Sequence, residues 1–146
     1  MAQYSGPKIV VGTAGHINSG GFEDFSRLAD LAEEHGAWLH VDGAFGLWAR
    51  LLPEKSHLTR GLERADSWSV DGHKWLQIPY DSGFAIVKNS DAHRRAMNIS
   101  ASYLNHATSD GRNPTEYNPE LSRRARGFAA WAVIQSLGRA LSLIHI

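Results

Sequence analysis

The stretch Ala37-Trp38-Leu39-His40-Val41-Asp42-Gly43-Ala44-Phe45-Gly46 begins as a short apolar run and ends on an acid followed by glycine. A run of this length, closed by turn residues, reads as a buried strand. Upstream, Lys8-Ile9-Val10-Val11-Gly12-Thr13 is a second such run, continuous and β-branched, and Gly12, Gly15, Gly20 and Gly21 carry it into a turn. Between the two, Phe22, Phe25, Leu28, Ala29 and Ala32 recur at three- and four-residue spacing, the pattern of a helix with one buried face. Glu23 and Asp24 fall in the expected first turn, where the helix dipole favours acids, and Gly36 closes the helix. Downstream, Ser67-Trp68-Ser69-Val70-Asp71 and Gly83-Phe84-Ala85-Ile86-Val87 are further strand candidates. Strand, helix, strand, irregular or helical connection, strand is the alternation of an α/β domain with a largely parallel sheet.

Composition narrows the function classes. The chain has 146 residues, with 15 basic and 15 acidic side chains and no net charge, so no long-range field draws it to a nucleic-acid backbone. The cluster Arg123, Arg124, Arg126 is too short to argue otherwise. No apolar run approaches the roughly 18–20 residues of a membrane span, and no secretory signal opens the chain. Neither a membrane anchor nor export is expected. The absence of cysteine excludes a disulfide framework, a thiol nucleophile and a zinc–thiolate site. Asn105 to Asn118 reads as an exposed loop. A last helix is expected to start between Asn118 and Arg124, capped by Asn118 or Ser122, and to carry Phe128, Trp131 and Ile134 inward. Trp38, Trp48, Trp68 and Trp131 read as core or interface packing. His16, His35, His57, His93 and His106 lack metal-like spacing and read as surface residues.

Two segments carry chemistry, each just past a strand's carboxyl end, where α/β sheets place their ligands. They are His40-Val41-Asp42-Gly43-Ala44-Phe45-Gly46 and Ser69-Val70-Asp71-Gly72-His73-Lys74-Trp75. A carboxylate at the end of a buried strand is costly to desolvate without a partner. Asp42 is therefore either a cap met by an arginine or a backbone amide, or a functional acid. Lys74 either reaches the surface along Trp75 or is a desolvated amine able to attack an aldehyde. His40 shares a strand face with Asp42 and reads first as a satisfied hydrogen-bonding residue. An acid able to hold a protonated pyridine nitrogen, with a lysine about thirty residues later that can form an imine, is what pyridoxal phosphate chemistry requires.

These two strings resemble the signature segments of the group II pyridoxal-phosphate-dependent amino-acid decarboxylases, among them the aromatic amino-acid and glutamate decarboxylases. The resemblance covers Pro7 to Arg139 and includes Gly12-Thr13 followed by Gly21-Phe22, and Tyr103-Leu104. It implies the fold type I, aspartate-aminotransferase-like architecture, an α/β large domain with a mostly parallel sheet and flanking helices. It implies pyridoxal 5′-phosphate as cofactor, a small-molecule amino-acid substrate, a cytoplasmic homodimer in the complete form, and no nucleic-acid or membrane partner. Lys74 would hold the cofactor as an internal aldimine, Asp42 would bond the pyridinium nitrogen, and Ala44 would let the ring lie flat. His73 would face the cofactor phosphate and the mobile loop. Thr13 would lie near the cofactor 3′-oxygen or the substrate carboxylate, and Tyr103 would protonate the carbanion carbon. No metal site is implied.

Two departures bear on the substrate rather than the cofactor. Asp71-Gly72 stands where many members have Asn-Pro, closer to some bacterial decarboxylase-like sequences and to the sphingosine-phosphate lyases, and Asp71 is expected to point away from the phosphate or to meet an arginine. Gly43 stands where alanine is commoner. A carbon–carbon lyase or an aminotransferase on the same fold is thus the nearest alternative, and a non-catalytic binding or scaffold module the alternative of another class. The family's ring-stacking residue and main phosphate-binding segment precede the region present, so residues 1–140 are expected to be part of a cofactor-binding large domain, truncated at both ends. Residues 141–146 match what a common sequencing adapter encodes and are expected to be a scar.

Overall fold

The computed structural model describes residues 4–98 and 113–144, with side chains as far as residue 138. They fall into two compact units, Met1–Lys88 with Ala125–Ile146, and Asn89–Arg124.

In the first unit four strands form one sheet in the order β1 (Ile9–Thr13), β2 (Trp38–Asp42), β3 (Ser67–Asp71), β4 (Gly83–Val87). The first three run parallel and β4 returns antiparallel. All four strands match the runs read from sequence to within a residue at each end. The β1–β2 register sets Thr13 against Asp42, and the β2–β3 register sets Asp42 against Ser69. The carboxyl ends of the parallel strands therefore meet at one edge, with the acid in the middle.

Alternation along β2 sorts its two faces. Leu39 and Val41 are buried under helix α1 (Phe25–Glu34), which contributes Phe25, Ala29 and Ala32, with Val10, Leu62 and Ala65 completing the cluster. Each of the larger side chains contributes about 1.5–3 kcal/mol on burial. Trp38, His40 and Asp42 occupy the opposite, half-buried face. There β1 leaves Ile9 and Val11 exposed.

Helix α1 starts one turn later than the acids suggested. Asp24 is its N-cap, accepting from Arg27 N, and no acid lies in the first turn. Glu23 instead accepts the Thr13 amide at 2.6 Å, which ties the helix entry to the end of β1. At the other end Gly36, at φ 56°, completes a Schellman stop: its amide donates to Glu33 O and that of Ala37 to Ala32 O. The β2–β3 connection is three short 3-10 helices, Gly46–Leu51, Pro53–Thr59 and Leu62–Arg64. Arg64 binds Asp30 and Glu33 of α1, which raises its already high basicity.

The last helix, α3 (Arg126–Ile144), is interrupted at Gly138 and begins beyond both expected caps. Its orientation corrects the sequence expectation. Ala130 is buried and Ala129 and Val133 pack beside it on Leu76, Ile78, Trp48 and Phe84, whereas Phe128 and Trp131 are 78% and 65% exposed and Ile134 is exposed too. Small residues allow the helix to approach closely, and the large ones are left outside. Trp38 and Trp68 pack as expected, with indole N–H groups donating to Ser67 Oγ and Leu62 O.

The second unit holds α2 (Ser90–Met97), capped by Asn89, and a 3-10 turn at Pro114–Glu116, with His93 and Tyr117 edge to face at 5.5 Å. Of the expected loop, Asn105 to Asn118, only residues from 113 on are described. Among the described residues, no helix is long and apolar enough to cross a membrane, and no cluster of three or more His, Asp or Glu could hold a metal.

Candidate active site

The site is built at the edge where the parallel strands end. Asp42 is half-buried, and its Oδ1 accepts the Ala44 amide at 3.1 Å. The partner its position demanded is thus a backbone N–H. The chain around it is pinned on both sides: Gly43 N donates to Ser69 O at 2.8 Å, Ala14 N to Asp42 O at 2.8 Å, and Gly46 N to Ala14 O at 2.9 Å. Gly46 is needed for that approach, since a β-carbon on it would stand 2.6 Å from the Ala14 carbonyl. Gly43 is fixed as well, because its β-carbon would lie 2.6 Å from Leu47 Cβ and 3.0 Å from Ser69 O.

His40 is a satisfied strand residue. Its ring nitrogens face Ser67 Oγ at 2.8 Å and Ser69 Oγ at 3.3 Å.

Lys74 follows β3 by three residues. Its Nζ stands 2.6 Å from Asp71 Oδ2 and 3.9 Å from the centroid of Phe45, a distance at which a ring face attracts a cation. Both side chains of the ion pair are 28% exposed. Lys74 therefore neither runs free to solvent nor sits alone in an apolar pocket. Of the two expectations for Asp71, pointing away from the phosphate or meeting an arginine, the second is not met: its cationic partner is this lysine. Phe45 links the two signature segments, because it lies three residues past Asp42 and reaches the Lys74 ammonium.

His73 is oriented by Ser82. Its Nδ1 lies 2.7 Å from the Ser82 carbonyl oxygen and 3.0 Å from the Ser82 amide. That oxygen already accepts the amides of Gly72 and His73, at 2.9 and 3.2 Å. Its Nε2 faces Asp71 Oδ2 at 3.8 Å. The ring rests on Tyr80, centroids 4.4 Å apart. The adjacent Asp81 receives both Nε and Nη2 of Arg126 at 3.0 Å, which fixes the start of α3 to the turn under His73.

Thr13, the β1 neighbour of Asp42, brings its own half-buried side chain to the same edge. A cavity of about 190 Å³ opens beside Phe45, lined by Gly15, His16, Phe22 and Trp75 among others. The structure thus gathers Thr13, Asp42 and Ala44 at one strand edge and His73 with Lys74 in the turn beyond the next strand. Tyr103 lies outside the described residues. Sequence reasoning missed Phe45, Ser82 and the Asp81–Arg126 pair. It also missed that Asp71 and Lys74, three residues apart, pair with each other, although their opposite charges at that spacing were a usable signal.

Comparison with known proteins gives a consistent result. The family model described as "Pyridoxal-dependent decarboxylase conserved domain" matches residues 3–141. An aromatic-L-amino-acid decarboxylase of Bacillus atrophaeus is 33% identical over 137 residues, 92% of this chain and 28% of that protein. Tyrosine/DOPA decarboxylase 5 of Papaver somniferum is 34% identical over 137 residues, 92% of this chain and 26% of that protein. The crystal structure of Oryza sativa TDC with PLP and tryptamine superposes with a TM-score of 0.87 at 30% identity, covering 96% of this chain and 29% of that one. The chain spans between 26% and 29% of the length of these relatives.

Proposed function

The chain belongs to the pyridoxal-dependent decarboxylase family, and from that premise we propose that it supplies the lysine and aspartate of a pyridoxal 5′-phosphate site in an enzyme that removes the carboxyl group of an L-amino acid. The observation that carries this reading is the strand register. Asp42 ends the middle parallel strand, and Lys74 leaves the end of the next one, with Phe45 bridging the two segments.

The residues fit the group. Asp42 offers a half-buried carboxylate with one oxygen oriented by a backbone amide, suited to holding a proton on a pyridine nitrogen. Ala44 presents only a methyl group beside it. Lys74 offers an amine within reach of the same edge. When bound, the cofactor supplies a conjugated electron sink for the pair left on the α-carbon as carbon dioxide departs. Asp42 would hold the proton on its ring nitrogen, and Lys74 would hold the cofactor through Nζ. His73 would serve its phosphate, Thr13 its 3′-oxygen or the substrate carboxylate, and Tyr103 would be the acid that supplies a proton to the α-carbon. Residues 1–140 are read as part of the cofactor-binding large domain. The reading extends to a cytoplasmic homodimer, supported by the family's habit of forming sites between subunits.

The test is spectroscopic first and chemical second. The full-length protein mixed with pyridoxal 5′-phosphate is expected to develop the visible absorption of a protonated imine, and its Lys74→Ala variant to lack it. Carbon dioxide release is then screened across amino acids. No band would end the cofactor claim; a band without carbon dioxide from any amino acid would transfer the chain to carbon–carbon lyases, the reading that Asp71 favours.

A further inference from the structure

We propose that Asp71 is a positioning residue that latches Lys74 in an unreactive, ion-paired state until a carbonyl ligand draws the amine away. The proposal rests on the reading of Lys74 as the cofactor-bearing lysine and adds a carboxylate that the cofactor chemistry itself does not require.

The pair is part of a built turn. Asp71 is the last residue of β3, and the chain beyond it is held by hydrogen bonds from Gly72 N and His73 N to Ser82 O, from Ile78 N to Gly72 O and from Gln77 N to Lys74 O. This backbone places Oδ2 at 2.6 Å from Nζ, within the range of a strong charge-assisted bond. On its other flank Nζ meets the Phe45 ring. The ammonium is thus held between a carboxylate and an aromatic face, with 28% of each charged side chain exposed. Asp42, the other acid of the site, has its Oδ1 turned to the Ala44 amide.

The chemical consequence follows from the nitrogen's lone pair. An ammonium shared with Asp71 has none to offer. To attack a carbonyl carbon, Nζ must leave Oδ2 and give a proton to solvent. Its lone pair then forms the carbon–nitrogen bond, and the carbonyl oxygen departs as water after taking up protons. Asp71 stands on the first of these events, so removing its charge should speed every reaction that needs the free amine, whether or not a cofactor is present.

Competitive acetylation with acetic anhydride reads this directly, because the chain has only four lysines, at positions 8, 55, 74 and 88. Mass spectrometry gives the rate at each. Asp71→Asn is expected to raise the Lys74 rate by about two- to five-fold, the range open to a partly exposed ion pair, with Lys55 and Lys88 unchanged. Asp71→Glu should restore slow labelling. A Lys74 rate unchanged in the Asn variant overturns the latch. Should that variant unfold, all four rates will rise together, and Asp71→Ser then decides: a Lys74 rate unchanged relative to Lys55 and Lys88 in that variant overturns the proposal. A parallel arm traps pyridoxal 5′-phosphate with borohydride and maps the adduct. No adduct at Lys74, with anhydride rates still separated, removes the cofactor reading and leaves the latch. An adduct at Lys74 that forms equally fast with and without Asp71 removes the latch and leaves the cofactor reading.

Discussion

Leu47 closes over Gly43: its amide donates to the Gly43 carbonyl at 3.2 Å, and its Cβ occupies the place a side chain on Gly43 would need, 2.6 Å from an ideal β-carbon there. The Ser69 carbonyl blocks the other direction at 3.0 Å. The segment after Asp42 is therefore shaped by a pair of residues, not by one.

Gly43→Ala should accordingly destabilise the chain by about 1–3 kcal/mol, the usual cost of overpacking. Leu47→Gly removes the obstructing Cβ and leaves room for the new methyl group, while losing packing and helical propensity of its own. The double variant is expected to cost less than the sum of the two single ones, with a coupling of about 0.5 kcal/mol or more. Urea midpoints of the four chains measure this, and strict additivity would show that Leu47 is not the obstacle.

Glu63 gives a prediction in pH. Its own backbone N–H, more than any other group, holds its carboxyl below the ordinary carboxylate range; desolvation opposes this, and Arg50, 3.2 Å away, adds to the lowering. A folded value below the unfolded one means that this stabilisation is fully present above the unfolded carboxylate value, about 4.3, and is lost as pH falls through the folded value. The side chain is 57% exposed, so the contribution is small. A carbon-13 titration of the Glu63 carboxyl should show a midpoint below that of the unfolded chain, and Arg50→Ala should move it upward.

Much of this architecture is legible in residue pattern. The strands are short apolar runs, and the aspartates that end β2 and β3 place Asp42 and the approach to Lys74 without further information. What pattern could not give was set by non-periodic backbone or by packing size. The turn from Gly72 to Ser82 includes Gln77 at φ 52°, and no periodicity announces that it folds Asp71 onto Lys74. In α3 both faces are apolar. Phe128, Trp131 and Ile134 form one stripe, and Ala129, Ala130 and Val133 another. Hydrophobicity favours burying the larger set, whereas close approach to Leu76 and Ile78 selects the smaller one.

That selection is itself testable. Phe128→Ser and Trp131→Ser should each change unfolding free energy by no more than about 0.5 kcal/mol, as exposed positions do. Ala130→Leu, which adds bulk at a buried contact, should cost about 1–3 kcal/mol. Indole fluorescence provides a second check: acrylamide should quench Trp131 readily in a variant that keeps it as the sole tryptophan. A large loss from Trp131→Ser with a small one from Ala130→Leu would reverse the assigned face of α3.

Asp42→Asn separates binding from chemistry. The amide is nearly isosteric, and its oxygen can still accept the Ala44 N–H that orients the native carboxylate, so the strand end should keep its shape. What it loses is the charge that holds a proton on the cofactor ring nitrogen. Under the proposed function, cofactor occupancy should fall little, while the rate of carbon dioxide release falls by at least about 100-fold, the scale for removing one preorganised electrostatic contact. Equilibrium titration with pyridoxal 5′-phosphate and single-turnover carbon dioxide release, measured on the same preparation, give the two quantities. Equal losses in both would make Asp42 a binding residue alone; an unchanged rate would remove it from the chemical step and leave the strand-end cap as its role.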